Sequence, residues 1–311
     1  MRFLPAEKFA VTIILALAAL DWALLAYKQV GIDVPGYIMA LATGASAIFI
    51  GQFYRRHRHN EGIALATTAA GLFIVFTIVG SVFNYLLLPI QGERIDPLLM
   101  HIDAQLGYSW SGLVTWTSQH PPFGALLQYV YLSSMPQLII VILVLGFSGR
   151  RDDLHRFLLT GLIAALITIG FWGFFPSSGP AAWEVLPREV LAAMPTVVGP
   201  GYGAELNRLA AEGVKYITPK EVLGLIAFPS FHTVMALLSV FFMARFRMAM
   251  PFFAVLNVLM VPAILVHGGH HLVDLLGGAA AFAAALALSG LALRQMKQAP
   301  APHWQPAAGS V

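Results

Sequence analysis

His270 and Asp274 stand four residues apart, one helical turn, so in a helix they share a face. A carboxylate placed there holds one imidazole nitrogen as N–H and leaves the other as a free base or nucleophile. His232 follows Pro229 and Ser230 at what reads as the opening of a helix. Free backbone N–H groups and the positive end of the helix dipole favour an anion at such a place. A histidine nucleophile facing a second histidine across an anion pocket suits phosphoryl transfer, one attacking phosphorus and the other protonating the leaving oxygen. These residues fall in two of three short stretches that interrupt apolar sequence with polar groups: FPSSGP at 175–180, FPSFHT at 228–233 and HGGHHLVD at 267–274.

The elements that must position them are membrane helices. Of the 311 residues 58% are hydrophobic and only 11% charged, with a mean hydropathy of +0.76. A soluble domain carries about 25% charged residues, so this chain cannot cover a water-facing surface of its own size. An ordinary soluble enzyme, a secreted disulfide scaffold and a disordered chain are excluded. With no cysteine there is no disulfide, thiolate nucleophile or thiolate metal site. The net charge of +3 gives no sign of a nucleic-acid partner. About eight apolar stretches emerge, near 9–27, 36–54, 62–90, 122–147, 157–175, 229–246, 251–267 and 271–293. Their continuous Leu, Ala, Ile, Val and Phe lack strand alternation, so the expected fold is an all-α polytopic bundle. The first stretch reads as an uncleaved span, being too long for a signal peptide and lacking a small-residue cleavage site.

With the N-terminus inside, the short inner segments hold Arg2, Lys8, Arg55, Arg56, Arg58, Arg150, Arg151, Arg156, Arg245, Arg247, Arg294 and Lys297. The short outer loops hold only Lys28 and Arg94. That bias puts both termini in the cytoplasm and all three polar stretches at the outer ends of spans. Residues 1–150 read as N-terminal spans with an outer amphipathic segment at 91–121, one or two helices at headgroup level. Residues 151–294 read as the catalytic helix core, interrupted by a long outer loop at 176–228 with a short helical pattern around 203–213. A disordered tail is expected at 295–311.

The stretch Pro229-Ser230-Phe231-His232 resembles the second signature, Pro-Ser-x-His, of the type 2 phosphatidic acid phosphatase superfamily. His270-His271-Leu272-Val273-Asp274, followed by Gly277 and Gly278, resembles the third, His-x-x-x-Asp ahead of small residues. Order and intervening span agree over roughly 170–280. The double histidine, FPSSGP and FPSFHT are most similar to the inositolphosphorylceramide-synthase-like branch. The resemblance implies His270 as a nucleophile that forms a phosphohistidine, Asp274 as its orienting partner and His232 as general acid. It also implies that Ser230 and the backbone at 230–232, Phe231 included, bind phosphate oxygens, with Ser178 and Gly179 lining the other side. No cofactor or metal is implied. The implied partners are a phospholipid donor with an inositol phosphate-like head group and a lipid alcohol acceptor such as ceramide or diacylglycerol. Apart from the resemblance, the lack of cysteine and the short loops suggest a bacterial cytoplasmic membrane, and the Lys and Arg bias turns the site toward the periplasm.

The chain departs from the phosphatase pattern twice. The Lys-x6-Arg-Pro first signature is replaced by FPSSGP, and the arginine expected six residues before the nucleophile is Ile264. The phosphate cation is therefore unassigned, the candidates being Arg94, Arg188, Lys215 and Lys220. The loss favours head-group transfer, while water as acceptor would make the same site a lipid phosphate phosphatase. A transporter is the remote alternative; the polar cluster lies at one face, and no inverted repeat is visible.

Other polar residues carry bland readings beside functional ones. His267 and His271 at i,i+4 spacing could join Asp274 as metal ligands, but no fourth ligand is obvious, and His271 reads as supporting. Asp21 and Asn84, inside spans, read as structural rather than as a proton pathway. Asp96, His101 and Asp103 read as a solvated interfacial face rather than a lid or polyol site.

Overall fold

A computed structural model describes residues 3–194 and 196–298. From the N-terminus, α1 (Pro5–Lys28), α2 (Val34–Phe53, continuing into a π-helical turn at Tyr54–Arg58) and α3 (Glu61–Leu86) are long apolar helices. Two short helices follow, α4 (Asp96–Gln105) and α5 (Trp110–Ser118). Next come α6 (Pro121–Leu132) and α7 (Ser134–Phe147), bent by 46° where they join, and the long α8 (Arg151–Phe174). A loop region carries α9 (Arg188–Ala193) and α10 (Pro200–Glu212), and then α11 (Phe231–Met243), α12 (Met250–His267) and α13 (Leu272–Gln298) close the bundle. The two-residue strands β1 (Gly31–Ile32) and β2 (Tyr216–Ile217) pair in parallel and tie the long loop to the α1–α2 turn.

The all-α expectation holds, with a qualification on the number of spans. Among the described residues six helices are long and apolar enough to cross a bilayer, or seven if the bent α6–α7 pair is counted as one span. The eighth stretch, α11, has 13 residues, about 20 Å at 1.5 Å per residue against a hydrocarbon core of about 30 Å. Pro229 and Ser230 delay its start to Phe231, where the Ser230 hydroxyl caps the Thr233 N–H. It packs among α7, α8, α12 and α13, inside the bundle. Of the tail expected at 295–311, residues 295–298 are helical, part of α13, and the rest lies outside the described residues.

Ion pairs gather at one end of the bundle. Arg55, after α2, grips Glu7 of α1 with contacts of 2.7 and 2.8 Å, and His155 of α8 stands 3.6 Å from the same carboxylate. Lys297 near the end of α13 reaches Asp152 at 2.7 Å, and Arg245 after α11 reaches Asp153 at 3.2 Å. The first and last described helices therefore have their chain ends at the same end of the bundle. The polar stretches at 175–180, 228–233 and 267–274 lie at the other, where α8 and α12 end and α11 and α13 begin.

Between these ends the core is Leu, Phe and Ala from α3, α7, α8 and α11, with Leu72, Leu138, Leu158 and Leu238 all buried. The helices approach closely where glycines face each other. A Cβ built on Gly71 of α3 would lie 2.5 Å from the Gly44 carbonyl of α2 and 2.8 Å from the Ile48 N. Small residues at such a crossing let backbones touch without water to drive them together. Gly71→Ala should therefore push α2 off α3 and destabilise the protein by about 1–3 kcal/mol. Thermal unfolding in detergent checks this; an unchanged midpoint would mean that the crossing yields freely.

Candidate active site

Asp274 lies in the first turn of α13 and is fully buried. Its Oδ2 accepts from His270 Nδ1 at 2.9 Å and from the His271 backbone N–H at 2.9 Å. With Nδ1–H given to the carboxylate, His270 keeps the lone pair on Nε2. The turn that makes this possible runs through Gly268 and Gly269, with φ of +60° at Gly269, a conformation that glycine adopts without steric cost. The Asp274 carbonyl also accepts the Ser230 N–H at 3.0 Å, joining the start of α11 to the start of α13. Gly278 allows that contact, because a Cβ there would strike the Ser230 carbonyl.

His232, in the first turn of α11, stacks on Tyr131 with ring centroids 4.2 Å apart, and its ring centre is 6.4 Å from that of His270. Both histidines, Tyr131 and Ser178 line a cavity of about 50 Å³, room for a small polar group and not for a lipid chain. Three stretches distant in sequence thus meet around one cavity.

The anticipated phosphate ligands are partly committed elsewhere. The Ser230 N–H goes to Asp274 and its hydroxyl oxygen caps α11, so only the hydroxyl proton remains for a ligand. Phe231 forms the helix opening beside it, half-buried. The Ser178 and Gly179 N–H groups both donate to Asp96 Oδ1, at 2.9 and 2.7 Å, and neither is free for an anion. The Ser178 hydroxyl accepts from Arg94 at 3.3 Å. Arg94 also donates to Asn207 Oδ1 and lies 4.4 Å above the Trp183 ring. Arg188, Lys215 and Lys220 are solvent-exposed, with Arg188 at the start of α9.

The solvated face expected at Asp96 and Asp103 is overturned. Both carboxylates are buried, and both hold loops that border the cavity. Asp103 Oδ2 meets His271 Nδ1 at 2.7 Å while its Oδ1 accepts the Leu272 N–H at 3.1 Å. Asp96 Oδ1 clamps 178–179 and stands 3.7 Å from His271 Nε2. His271 is thus gripped between two carboxylates of α4. A signal was present in the sequence: Asp96, Leu99 and Asp103 fall at i, i+3 and i+7, one helix face, and all three are buried. His101, on the other face, is exposed as expected.

His267 turns away from this cluster, its Nε2 on the Gly124 carbonyl at 2.9 Å. Among the described residues no three acidic or imidazole side chains converge as metal ligands. Asp21 is buried in α1, its Oδ1 without a partner among the described residues. Asn84 lines a groove beside the site.

Among known proteins, a family model described as the PAP2 superfamily matches residues 97–288, more than half of the chain. No curated protein and no solved structure matches it.

Burial disfavours charge on His271, but Asp96, Asp274 and Asp103 outweigh it and raise its pKa above the ordinary value. A raised histidine pKa stabilises the fold fully below about 6.5 and less as pH climbs through the raised value. Unfolding midpoints should therefore fall with rising pH in the wild type, and His271→Gln should flatten that slope; equal slopes would contradict the clamp. Asp103→Asn should lower turnover roughly 10–100-fold, the scale of losing a hydrogen-bond partner that orients a residue beside a site, while steady-state kinetics should show KM little changed.

Proposed function

The chain belongs to the PAP2 superfamily, a membership that indicates phosphatase or phosphotransferase chemistry on lipid phosphates, and we propose that it is a head-group phosphotransferase. The donor is a phospholipid with an inositol phosphate-like head group, and the acceptor is a lipid alcohol such as ceramide or diacylglycerol. The observation that carries the reading is the Asp274–His270 contact of 2.9 Å, which leaves Nε2 as the available nitrogen of a ring lining a cavity opposite His232.

In the first half-reaction His270 Nε2 attacks phosphorus. The N–P bond forms as the P–O bond to the leaving lipid breaks, and protonated His232 gives its proton to that oxygen. In the second, the acceptor hydroxyl gives its proton to His232 and its oxygen attacks phosphorus, so the N–P bond breaks and Nε2 regains its lone pair. Arg94 is the cation we assign to the phosphate. It is the one candidate in contact with a residue lining the cavity, Ser178, and aromatic stacking with the Asn207 contact holds it there. It would replace in space the basic signature that FPSSGP lacks. The Lys and Arg bias supports placing the ion-paired end in the cytoplasm and the site at the outer headgroup level. We place the protein in a bacterial cytoplasmic membrane, with the site toward the periplasm.

The test is a product assay on purified protein in lipid–detergent micelles. Phosphatidic acid and phosphatidylinositol are offered separately, each with and without ceramide or a diacylglycerol whose acyl chains differ from the donor's, because transfer to an identical diacylglycerol would only regenerate the donor. An acceptor-dependent new phospholipid is expected from phosphatidylinositol; phosphate released without an acceptor would make the enzyme a phosphatase. His270→Ala should abolish turnover in a folded protein. Arg94→Ala should lower kcat/KM roughly 100-fold, the scale of losing one charge-stabilising donor; unchanged kinetics in either variant would sink its assignment.

A further inference from the structure

A second cavity, about 270 Å³, runs between α3 and α8 and reaches the site. Its walls are apolar, with Phe73 and Phe76 on one side and Ala165 and Ile169 on the other. One end is formed by 223–226 and His232, and His232 with 224–226 also lines the small cavity that holds His270. A ligand in the groove thus ends at the histidine that handles oxygen-bound protons, while His270 stays in the polar cavity beyond. Size alone does not single it out, for an apolar groove of about 460 Å³ between α11 and α12 touches neither histidine.

Two helix glycines lie in its walls, Gly80 of α3 and Gly161 of α8. A helix interior disfavours glycine, so its presence calls for a reason. At Gly71 and Gly146 the reason is packing, since a Cβ would come within 2.5 and 2.6 Å of backbone atoms on a neighbouring helix. No such contact exists here. A Cβ at Gly80 would meet only Phe76, at 3.9 Å, and one at Gly161 only Leu238 at 3.8 Å and Phe73 at 3.9 Å. Neither glycine has a positive φ. What they do provide is open space along the groove.

The polar residues in the groove are consistent with an apolar occupant whose polar end lies near the site. The Thr77 and Ser81 hydroxyls donate to carbonyls of their own helix, Phe73 at 2.9 Å and Ile78 at 2.8 Å. Asn84, one turn beyond Ser81, keeps an Oδ1 without a partner among the described residues.

We propose that this groove seats the hydrocarbon chain of the lipid alcohol whose oxygen is exchanged at phosphorus, hydroxyl end at His232, and that Gly80 and Gly161 keep it open. The identity of the chain as acceptor or leaving lipid rests on the phosphotransferase reading; the groove's affinity for a lipid alcohol does not.

The experiment needs no turnover. Full-length protein in phosphatidylcholine nanodiscs is irradiated with a long-chain diacylglycerol bearing a diazirine on its acyl chain, and labelled peptides are mapped by mass spectrometry. Label is expected within 73–84 and 161–169, displaced at least fivefold by unlabelled long-chain diacylglycerol but not by its short-chain analogue in the wild type. Gly80→Leu/Gly161→Leu should cut that label at least fivefold. Gly170→Leu, whose Cβ meets nothing within 4 Å, should not. Label confined to outward faces of α1 and α2, or displaced equally by both diacylglycerols, would overturn the proposal. Groove label in a wild-type protein that transfers no phosphate would remove the reaction and leave the lipid site standing.

Discussion

The buried Asp274 carboxylate is the constraint on which the rest of the site depends. One oxygen accepts two hydrogen bonds, from the His270 ring and the His271 backbone, and the carbonyl of the same residue takes the Ser230 N–H. Asp274 therefore sets the His270 tautomer, shapes the turn before α13 and fixes where α11 begins, and with it His232. A buried carboxylate is costly unless hydrogen-bonded, and once bonded it holds its partners in one arrangement. Chemistry that needs two imidazoles on opposite sides of one phosphorus requires that rigidity more than it requires affinity.

The α4 helix extends the same logic. Asp96 holds the 177–179 loop and Asp103 holds the turn at 271–272, with His271 between them. The close approach of Gly179 to the Gly269 carbonyl, where a Cβ would not fit, brings those two loops together. The segment carrying α4 is thus a brace for the loops at 178–179 and 271–272. Asp96 occupies the backbone N–H groups of 178 and 179, so any anion on that side would have to meet side chains, the part proposed above for Arg94.

Much of this was legible in the sequence because the bilayer imposes strong rules. Long apolar runs announced the helices, and the i,i+4 spacing of His270 and Asp274 announced their contact. The two helices at 96–105 and 110–118 fit the amphipathic reading, and α10 fits the pattern seen around 203–213. What stayed hidden depended on contacts between distant segments. The length of α11 was set by the Pro229-Ser230 start, which a hydropathy window averages away. Asp96 and Asp103 looked like solvated acids because their partners lie more than 80 and 160 residues away. Arg94 could not be ranked above Arg188, Lys215 or Lys220 until the loop around Trp183 and Asn207 was folded over it.

In the proposed mechanism His270 Nε2, left free by the Asp274 contact, becomes covalently bound to phosphorus. Rapid quenching of the wild-type protein with phosphatidylinositol in the absence of an acceptor, followed by peptide mapping under alkaline conditions, tests it most directly. An acid-labile, alkali-stable phosphoramidate is expected on His270, absent in His270→Ala and discharged on adding a lipid alcohol. Turnover with no phosphohistidine at His270, or with the adduct on His232, would contradict it.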